Sequence, residues 1–146
     1  EPVKNSLRQI VKAGKHLEIT TLIIPGQNDD EKEMALQSEW IADELGRDVP
    51  LHLSRYFPMF RRDDRATSQE TLNKLFEIAS GKLDHVYMGN TISDTGQHTK
   101  CQECGTIAAL RSGYKTRLLN LDNNGKCTSC GTLVFKHFTF SSSVKH

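Results

Sequence analysis

The chain has 146 residues, of which 36% are hydrophobic and 25% are charged, values typical of a folded soluble protein and not of a disordered one. No apolar run approaches the roughly 20 residues that a membrane-spanning helix needs, and no basic stretch followed by an apolar run marks a secretory signal. The net charge of +1 is uneven, because residues 1–99 carry 12 Lys and Arg against 16 Asp and Glu, whereas residues 100–146 carry 7 against 2. We therefore expect a cytoplasmic protein with an acidic first part and a basic second part.

The first 90 residues alternate helical and extended patterns. Pro2 suits the first turn of a helix, and apolar residues follow at helical spacing from Leu7. Residues 17–24 (LEITTLII) form a nearly unbroken aliphatic run, which is typical of a strand covered on both faces. Residues 28–30 (NDD) can then cap a second helix, which we expect to end at Gly46.

The same pattern then continues through two more strands. Residues 51–57 and residues 85–88 are predicted strands, and Thr67 with Glu70 predicts a capping box for the helix between them. The three strands start roughly 34 residues apart, which is the spacing of β/α units with parallel strands. A closed barrel needs about eight such units, so residues 1–95 are predicted to form an incomplete parallel (β/α) barrel segment. Its open sheet edge must be paired or covered, and a second copy of the chain could pair with it.

The four cysteines of the chain predict a metal site. Cys101 and Cys104 lie in one CxxCG motif, and Cys127 and Cys130 lie in another, with 22 residues between the inner cysteines, Cys104 and Cys127. Each motif can present two sulfurs from one tight turn, and four thiolates complete the tetrahedral shell that Zn²⁺ prefers. We therefore predict structural zinc. Iron in a rubredoxin-like site uses the same ligands, and two disulfides or free thiols are the alternatives without a metal.

The metal site lies in a predicted β zinc ribbon. Residues 91–100 are polar and without periodicity, so we interpret them as a linker. The ribbon is expected over residues 96–140, with a hairpin formed by residues 106–110 and 114–121. Residues 141–146 are expected to be a polar tail.

Two groups of polar residues are candidates for a ligand site in the barrel segment. Residues 55–65 follow a strand and contain several Arg and Asp side chains, which suit either a ligand loop or a solvated, self-neutralising loop. Thr20, His52 and Ser54 lie inside predicted strands. A barrel lumen that binds a polar ligand would explain them, and so would ordinary hydrogen bonds within a core.

The order of several short blocks carries a resemblance to a known enzyme family. The blocks LEITTLIIPGQND, HLSRYFP and VYMGN precede the two CxxCG motifs. From about Val3 to about Thr132 the chain resembles the carboxyl-terminal half of AmmeMemoRadiSam-system radical SAM enzymes, which are similar to pyruvate formate-lyase activating enzymes. The resemblance implies a partial barrel that binds a [4Fe–4S] cluster and S-adenosylmethionine. It also implies reductive cleavage of S-adenosylmethionine to a 5′-deoxyadenosyl radical, which modifies or activates a protein or small-molecule substrate.

The resemblance also implies which residues face the cofactor. Thr20 would contact S-adenosylmethionine, and His52, Ser54 and Arg55 on the next strand would face the same pocket. The family's cluster motif, Cys-x3-Cys-x2-Cys, is absent from the chain, and so is the leucine-proline-aromatic-histidine run of the activating enzymes. By this resemblance the chain has no catalytic residue of its own and is inactive alone. Its partner is then the missing amino-terminal half of the barrel.

A function without catalysis is the alternative hypothesis. The basic ribbon would then be a binding module for RNA or for an acidic protein. Of these two partners, we favour the acidic protein. Four aromatic residues in the ribbon would allow base stacking, although such residues more often cover a small core: Tyr114, Phe135, Phe138 and Phe140. In the enzymatic hypothesis the ribbon docks a protein substrate instead.

Overall fold

A three-stranded parallel sheet organises the first part of the chain. The computed structural model describes residues 1–113 and 115–139. The strand order is β1-β2-β3, and Thr20 of β1 lies opposite His52 of β2, which lies opposite Tyr87 of β3. The elements in chain order are α1 (Pro2–Lys12), β1 (Ile19–Ile23), α2 (Glu31–Glu44), β2 (Leu51–Arg55), α3 (Gln69–Ser80) and β3 (Val86–Gly89). The predicted α/β class is confirmed, whereas three strands do not close a barrel and the barrel segment stays a prediction.

The two faces of this sheet have opposite character. One face packs against α2 and α3, and its residues Ile23, Leu51 and Leu53 are fully buried. On the other face, which we call the helix-free face, Thr20 and Leu22 alternate with them along β1 and are exposed. The prediction that residues 17–24 are covered on both faces is therefore wrong for the described residues. The β-branched and aliphatic composition of the run predicted a strand correctly but did not reveal which face lacks a cover.

The start of α3 differs from the predicted capping box. Ser68 is the N-cap, and its hydroxyl accepts a hydrogen bond from the amide of Thr71 at 2.9 Å. Thr67 is fully buried instead, and its hydroxyl accepts the amide of Tyr56 at 3.1 Å. The box of Thr67 with Glu70 is wrong, because α3 begins one residue later than the motif required. At α2 the expected cap is present, since the Asp30 side chain accepts the amide hydrogen three residues on.

The second part of the chain forms an antiparallel sheet. The chain divides into two compact units, Glu1–Gly96 and a unit that begins at Gln97. The second unit contains β4 (Thr99–Lys100), β5 (Ile107–Ser112) and β6 (Lys115–Leu118), in the order β4-β5-β6. The predicted linker therefore ends earlier than expected, because β4 pairs with β5. Tyr114, Phe140 and the predicted tail lie outside the described residues. In the described part of the chain, every helix is too short or too polar to cross a membrane.

Candidate metal centre

The four cysteine sulfurs converge on one point. All four lie within 4.8 Å of one another, with 3.5 Å between the sulfurs of Cys101 and Cys130 and 3.7 Å between those of Cys104 and Cys127. None of these four cysteines forms a disulfide. Four sulfurs at about 2.3 Å from a tetrahedral ion would lie about 3.8 Å apart, so the observed spacing fits a four-thiolate metal site. The cysteines are thus arranged to hold a metal ion, and the arrangement is compatible with zinc.

Each pair of cysteines lies in a closed turn that its own backbone stabilises. In the first turn, the amide of Cys101 donates to the carbonyl of Thr106 at 2.8 Å, and the amide of Gly105 donates to the carbonyl of Cys101 at 2.9 Å. Gly105 has a φ of +71°, a conformation that costs little for glycine and much for other residues. We call this six-residue turn, CQECGT, the first knuckle.

The second knuckle, CTSCGT, repeats the first bond for bond. The amide of Cys127 donates to the carbonyl of Thr132 at 2.8 Å, and the amide of Gly131 donates to Cys127 at 2.8 Å. Gly131 has a φ of +77°. The two knuckles therefore present their sulfurs from the same local geometry.

Two threonines that the sequence analysis did not single out contact the sulfurs. Cys104 Sγ lies 3.3 Å from Thr106 Oγ1, and Cys130 Sγ lies 3.3 Å from Thr132 Oγ1. A hydroxyl at this distance can donate to a thiolate and delocalise its charge. The signal was present in the sequence, because both motifs read CxxCGT and not only CxxCG.

The surroundings of the thiols affect their ionisation. Burial raises the pKa of Cys101 to about 11. Hydrogen bonds from the hydroxyl and amide of Thr106 lower the pKa of Cys104 to about 6, and the amide of Ser129 lowers the pKa of Cys127. A bound cation would favour the thiolate at every position. Four sulfur ligands leave no open coordination position for water or substrate, so the chemistry of this donor set is structural.

The residues that the resemblance assigned to the cofactor fall into two groups. Thr20, His52 and Ser54 share the helix-free face of the parallel sheet, where Thr20 and His52 are direct neighbours in register. The Nε2 atom of His52 lies 2.9 Å from a carboxylate oxygen of Glu18. Arg55 lies at the carboxyl end of β2, and its Nε donates to the carbonyl of Thr67 at 2.7 Å. The structure brings the first three together and sets Arg55 apart from them.

The charged loop that follows β2 is partly self-neutralising. The Nε of Arg62 donates to Asp64 at 2.8 Å, and the hydroxyl of Tyr56 lies 3.3 Å from the same carboxylate oxygen. The guanidinium carbon of Arg61 lies 5.2 Å from the ring centre of Phe60. The loop therefore has internal partners for some of its charges.

A comparison with known proteins finds a relative of unassigned function. The chain is 35% identical over 137 residues to the uncharacterized protein MJ0808 of Methanocaldococcus jannaschii. The match covers 92% of this chain but 41% of the relative, so the chain spans about two fifths of that protein's length. No family model and no solved structure matches the chain.

Proposed function

We propose that this chain is the carboxyl-terminal portion of a radical SAM enzyme similar to pyruvate formate-lyase activating enzymes, with a structural zinc ribbon. The observation that carries the proposal is the helix-free face, where Thr20, His52 and Ser54 are aligned on one side of a parallel sheet. In a (β/α) barrel the helices cover the outside, and the opposite face of each strand points into the interior. A polar interior face is what an enclosed polar cofactor requires.

The length of the relative supports the same proposal. MJ0808 extends well beyond the matched region, which accounts for 41% of it. A three-stranded parallel sheet that leaves Thr20 and Leu22 exposed on one face is incomplete as a barrel. A longer polypeptide of this kind has the length to supply the remaining β/α units.

The residues of the chain suit S-adenosylmethionine but do not supply ligands for a [4Fe–4S] cluster. All four cysteines of the sequence lie in the two knuckles, so none is left to bind a [4Fe–4S] cluster. The cluster ligands would have to come from another part of the longer polypeptide. S-adenosylmethionine fits better, because Thr20 and Ser54 carry hydroxyl groups and the contact of His52 Nε2 with Glu18 orients the imidazole ring beside them. When bound to a reduced cluster, this cofactor supplies the 5′-deoxyadenosyl radical; the role of these three residues is to line and orient its site.

Two adjacent threonines give a matched test of this function. Thr20 lies on the helix-free face, whereas Thr21 points to the helix side, where its hydroxyl accepts a hydrogen bond from Gln37 at 2.8 Å. In the longer polypeptide, with its cluster reconstituted and reduced, we expect S-adenosylmethionine to be cleaved to 5′-deoxyadenosine. We expect Thr20→Val to weaken S-adenosylmethionine binding several-fold, and Thr21→Val to leave it unchanged. A reduced, fully loaded protein that forms no 5′-deoxyadenosine would refute the proposal.

A second candidate function is docking of an acidic protein on the ribbon. All four residues of β6 are exposed, and β6 is an edge strand with Lys115 and Arg117 on one side. An acidic strand could pair with this edge. The test is a titration of the ribbon with an acidic peptide and with single-stranded RNA at low salt. Binding of the RNA alone would contradict a protein partner, and binding of neither at about 50 mM salt would remove this candidate.

A further inference from the structure

Arg55 is held in place at the carboxyl end of the central strand. Its Nε–H donates to the carbonyl of Thr67 at 2.7 Å, and its guanidinium carbon lies 4.7 Å from the ring centre of Phe57. The side chain is half-buried. One hydrogen bond and one ring contact therefore orient the guanidinium, and these contacts with described residues use a single one of its five N–H groups.

The terminal nitrogens of Arg55 have no hydrogen-bond acceptor in the part of the chain that the structure describes. Among residues 1–113 and 115–139, no side chain or carbonyl accepts a hydrogen bond from its two terminal nitrogens. Arg62, which borders the same cavity, donates instead to Asp64, and the hydroxyl of Tyr56 contacts that carboxylate as well. The carboxylate of Asp64 is thus already paired, and no carboxylate of the described residues pairs with Arg55.

Arg55 borders an open cavity of about 560 Å³. This volume lies in the range of small-molecule sites, which is about 300–1,000 Å³. Leu22, Phe57 and Met59 supply apolar walls, and each of these side chains is more than 40% exposed. The cavity lies at the carboxyl ends of the strands, where parallel α/β folds bind their ligands.

Asn90 also lines the cavity, and its amide hydrogens are already engaged within the protein. Its φ of +55° is uncommon for a residue with a side chain, and its amide Nδ2 donates to Ser54 Oγ at 3.1 Å and to the Arg55 carbonyl at 3.3 Å. Both amide hydrogens are therefore used within the protein. Of the two arginines that line the cavity, Arg62 is paired with the carboxylate of Asp64, whereas Arg55 has no carboxylate partner among the described residues.

We infer that this cavity binds a small organic acid, with its carboxylate on the terminal nitrogens of Arg55 and its apolar body against Phe57 and Met59. Two parallel N–H groups of a guanidinium match the two oxygens of a carboxylate. A single unpaired charge favours a monoanion over a phosphate dianion, and the apolar walls favour a hydrocarbon body. The inference needs only the geometry of this loop and does not depend on the proposed radical chemistry.

Titration of the zinc-loaded full chain with 3-phenylpropanoate tests the site, with ligand-observed NMR as the readout. We expect the acid to bind and its neutral analogue, 3-phenylpropanamide, to bind at least tenfold more weakly. Arg55→Met should weaken binding of the acid at least tenfold, whereas Arg65→Met, in the same loop but outside the cavity lining, should change it less than twofold. Equal binding of acid and amide, or equal effects of the two substitutions, would overturn the inference.

Three further experiments test the bidentate contact, the preference for a carboxylate over a phosphate, and whether the cavity is part of the S-adenosylmethionine site. Arg55→Lys keeps the charge but loses the planar fork, so it should fold and still bind the acid several-fold more weakly; unchanged affinity would contradict the bidentate contact. Tighter binding of phenyl phosphate than of 3-phenylpropanoate would overturn the choice of a carboxylate. Displacement of the acid by S-adenosylmethionine would assign the cavity to the methionyl group of that cofactor and overturn a separate acid site.

Discussion

The hydroxyl of Thr67 donates a hydrogen bond to the carbonyl of Ile23 across 2.5 Å, although the two residues lie 44 positions apart. Both residues are fully buried. The same hydroxyl accepts the amide of Tyr56 at 3.1 Å, and the Thr67 carbonyl accepts the Nε of Arg55. One threonine therefore joins the end of β1, the end of β2 and the loop that borders the cavity beside Arg55.

Replacement of Thr67 by Val should lower the free energy of unfolding by about 1–3 kcal/mol, because it leaves a buried carbonyl and a buried amide without a partner. Thr67→Ser keeps the hydroxyl and should retain most of that stability. Urea unfolding followed by fluorescence of Trp40, the single tryptophan, reports on the first unit directly. A Thr67→Val protein as stable as the Ser variant would contradict this role.

The cap of α3 makes a separate prediction one residue away. Ser68→Ala should lower the free energy of unfolding by about 1 kcal/mol, because the amide of Thr71 loses its acceptor. Ser80→Ala, at the exposed last residue of the same helix, is the matched control and should have an effect below about 0.5 kcal/mol. The same urea titration measures both. Equal losses from the two substitutions would argue against Ser68 as the cap.

The purified chain should contain one metal ion, which we expect to be zinc. A chelator should then unfold the second unit, because a small ribbon buries little core and metal binding supplies its folding energy. Fluorescence of Trp40 should stay unchanged, since this residue packs against the core of the first unit. Elemental analysis and thiol titration provide the check. A native protein free of zinc and iron, with four titratable thiols, would disprove the metal site.

The two threonine hydroxyls should contribute equally to metal affinity. Thr106→Val and Thr132→Val each remove a hydroxyl 3.3 Å from a cysteine sulfur, and each should weaken zinc binding about 10-fold or more. Thr128→Val, between the cysteines of the second knuckle, has no such contact and serves as the control. Competition with a chromophoric chelator measures the affinities. An effect of the control as large as the other two would indicate a general loss of knuckle structure.

Glu18 should make the first unit sensitive to acid. Partial burial raises its pKa, but hydrogen bonds and charge from His16 and His52 outweigh burial and hold the pKa below its ordinary value of 4.5. The carboxylate therefore stabilises the fold above that pH, and the contribution is lost as the pH falls through the lowered pKa. Because Glu18 is half exposed, the expected difference from Glu18→Gln is a few tenths of a kcal/mol at pH 6, vanishing toward pH 3. A difference independent of pH, measured by Trp40 fluorescence, would exclude this mechanism.

Local patterns predicted most elements of the fold, because the signals for them lie within a few residues. The helical spacing before Lys12, the aliphatic run of β1 and the cap at Asp30 each stand in one short segment. The same holds for the two CxxCG motifs, whose spacing alone indicated that their cysteines would meet.

Features that depend on distant residues were not predictable in the same way. Thr67 and Ser68 are both good capping residues. Ser68 is the cap because the hydroxyl of Thr67 is already bonded to the carbonyl of Ile23, 44 residues away in the sequence. The two-residue strand β4 is too short for any periodicity, and only its pairing with Ala109 defines it. The unused donors of Arg55 likewise depend on where Asp64 and Thr67 lie in space.

Because each knuckle is closed by its own backbone hydrogen bonds, we expect the hexapeptides CQECGT and CTSCGT to be exchangeable. A chain in which the two exchange places would still deliver four sulfurs to the ion. The 20 residues between the two hexapeptides contain the hairpin of β5 and β6. We therefore expect substitutions confined to the exposed edge strand β6 to leave the four sulfur ligands in place.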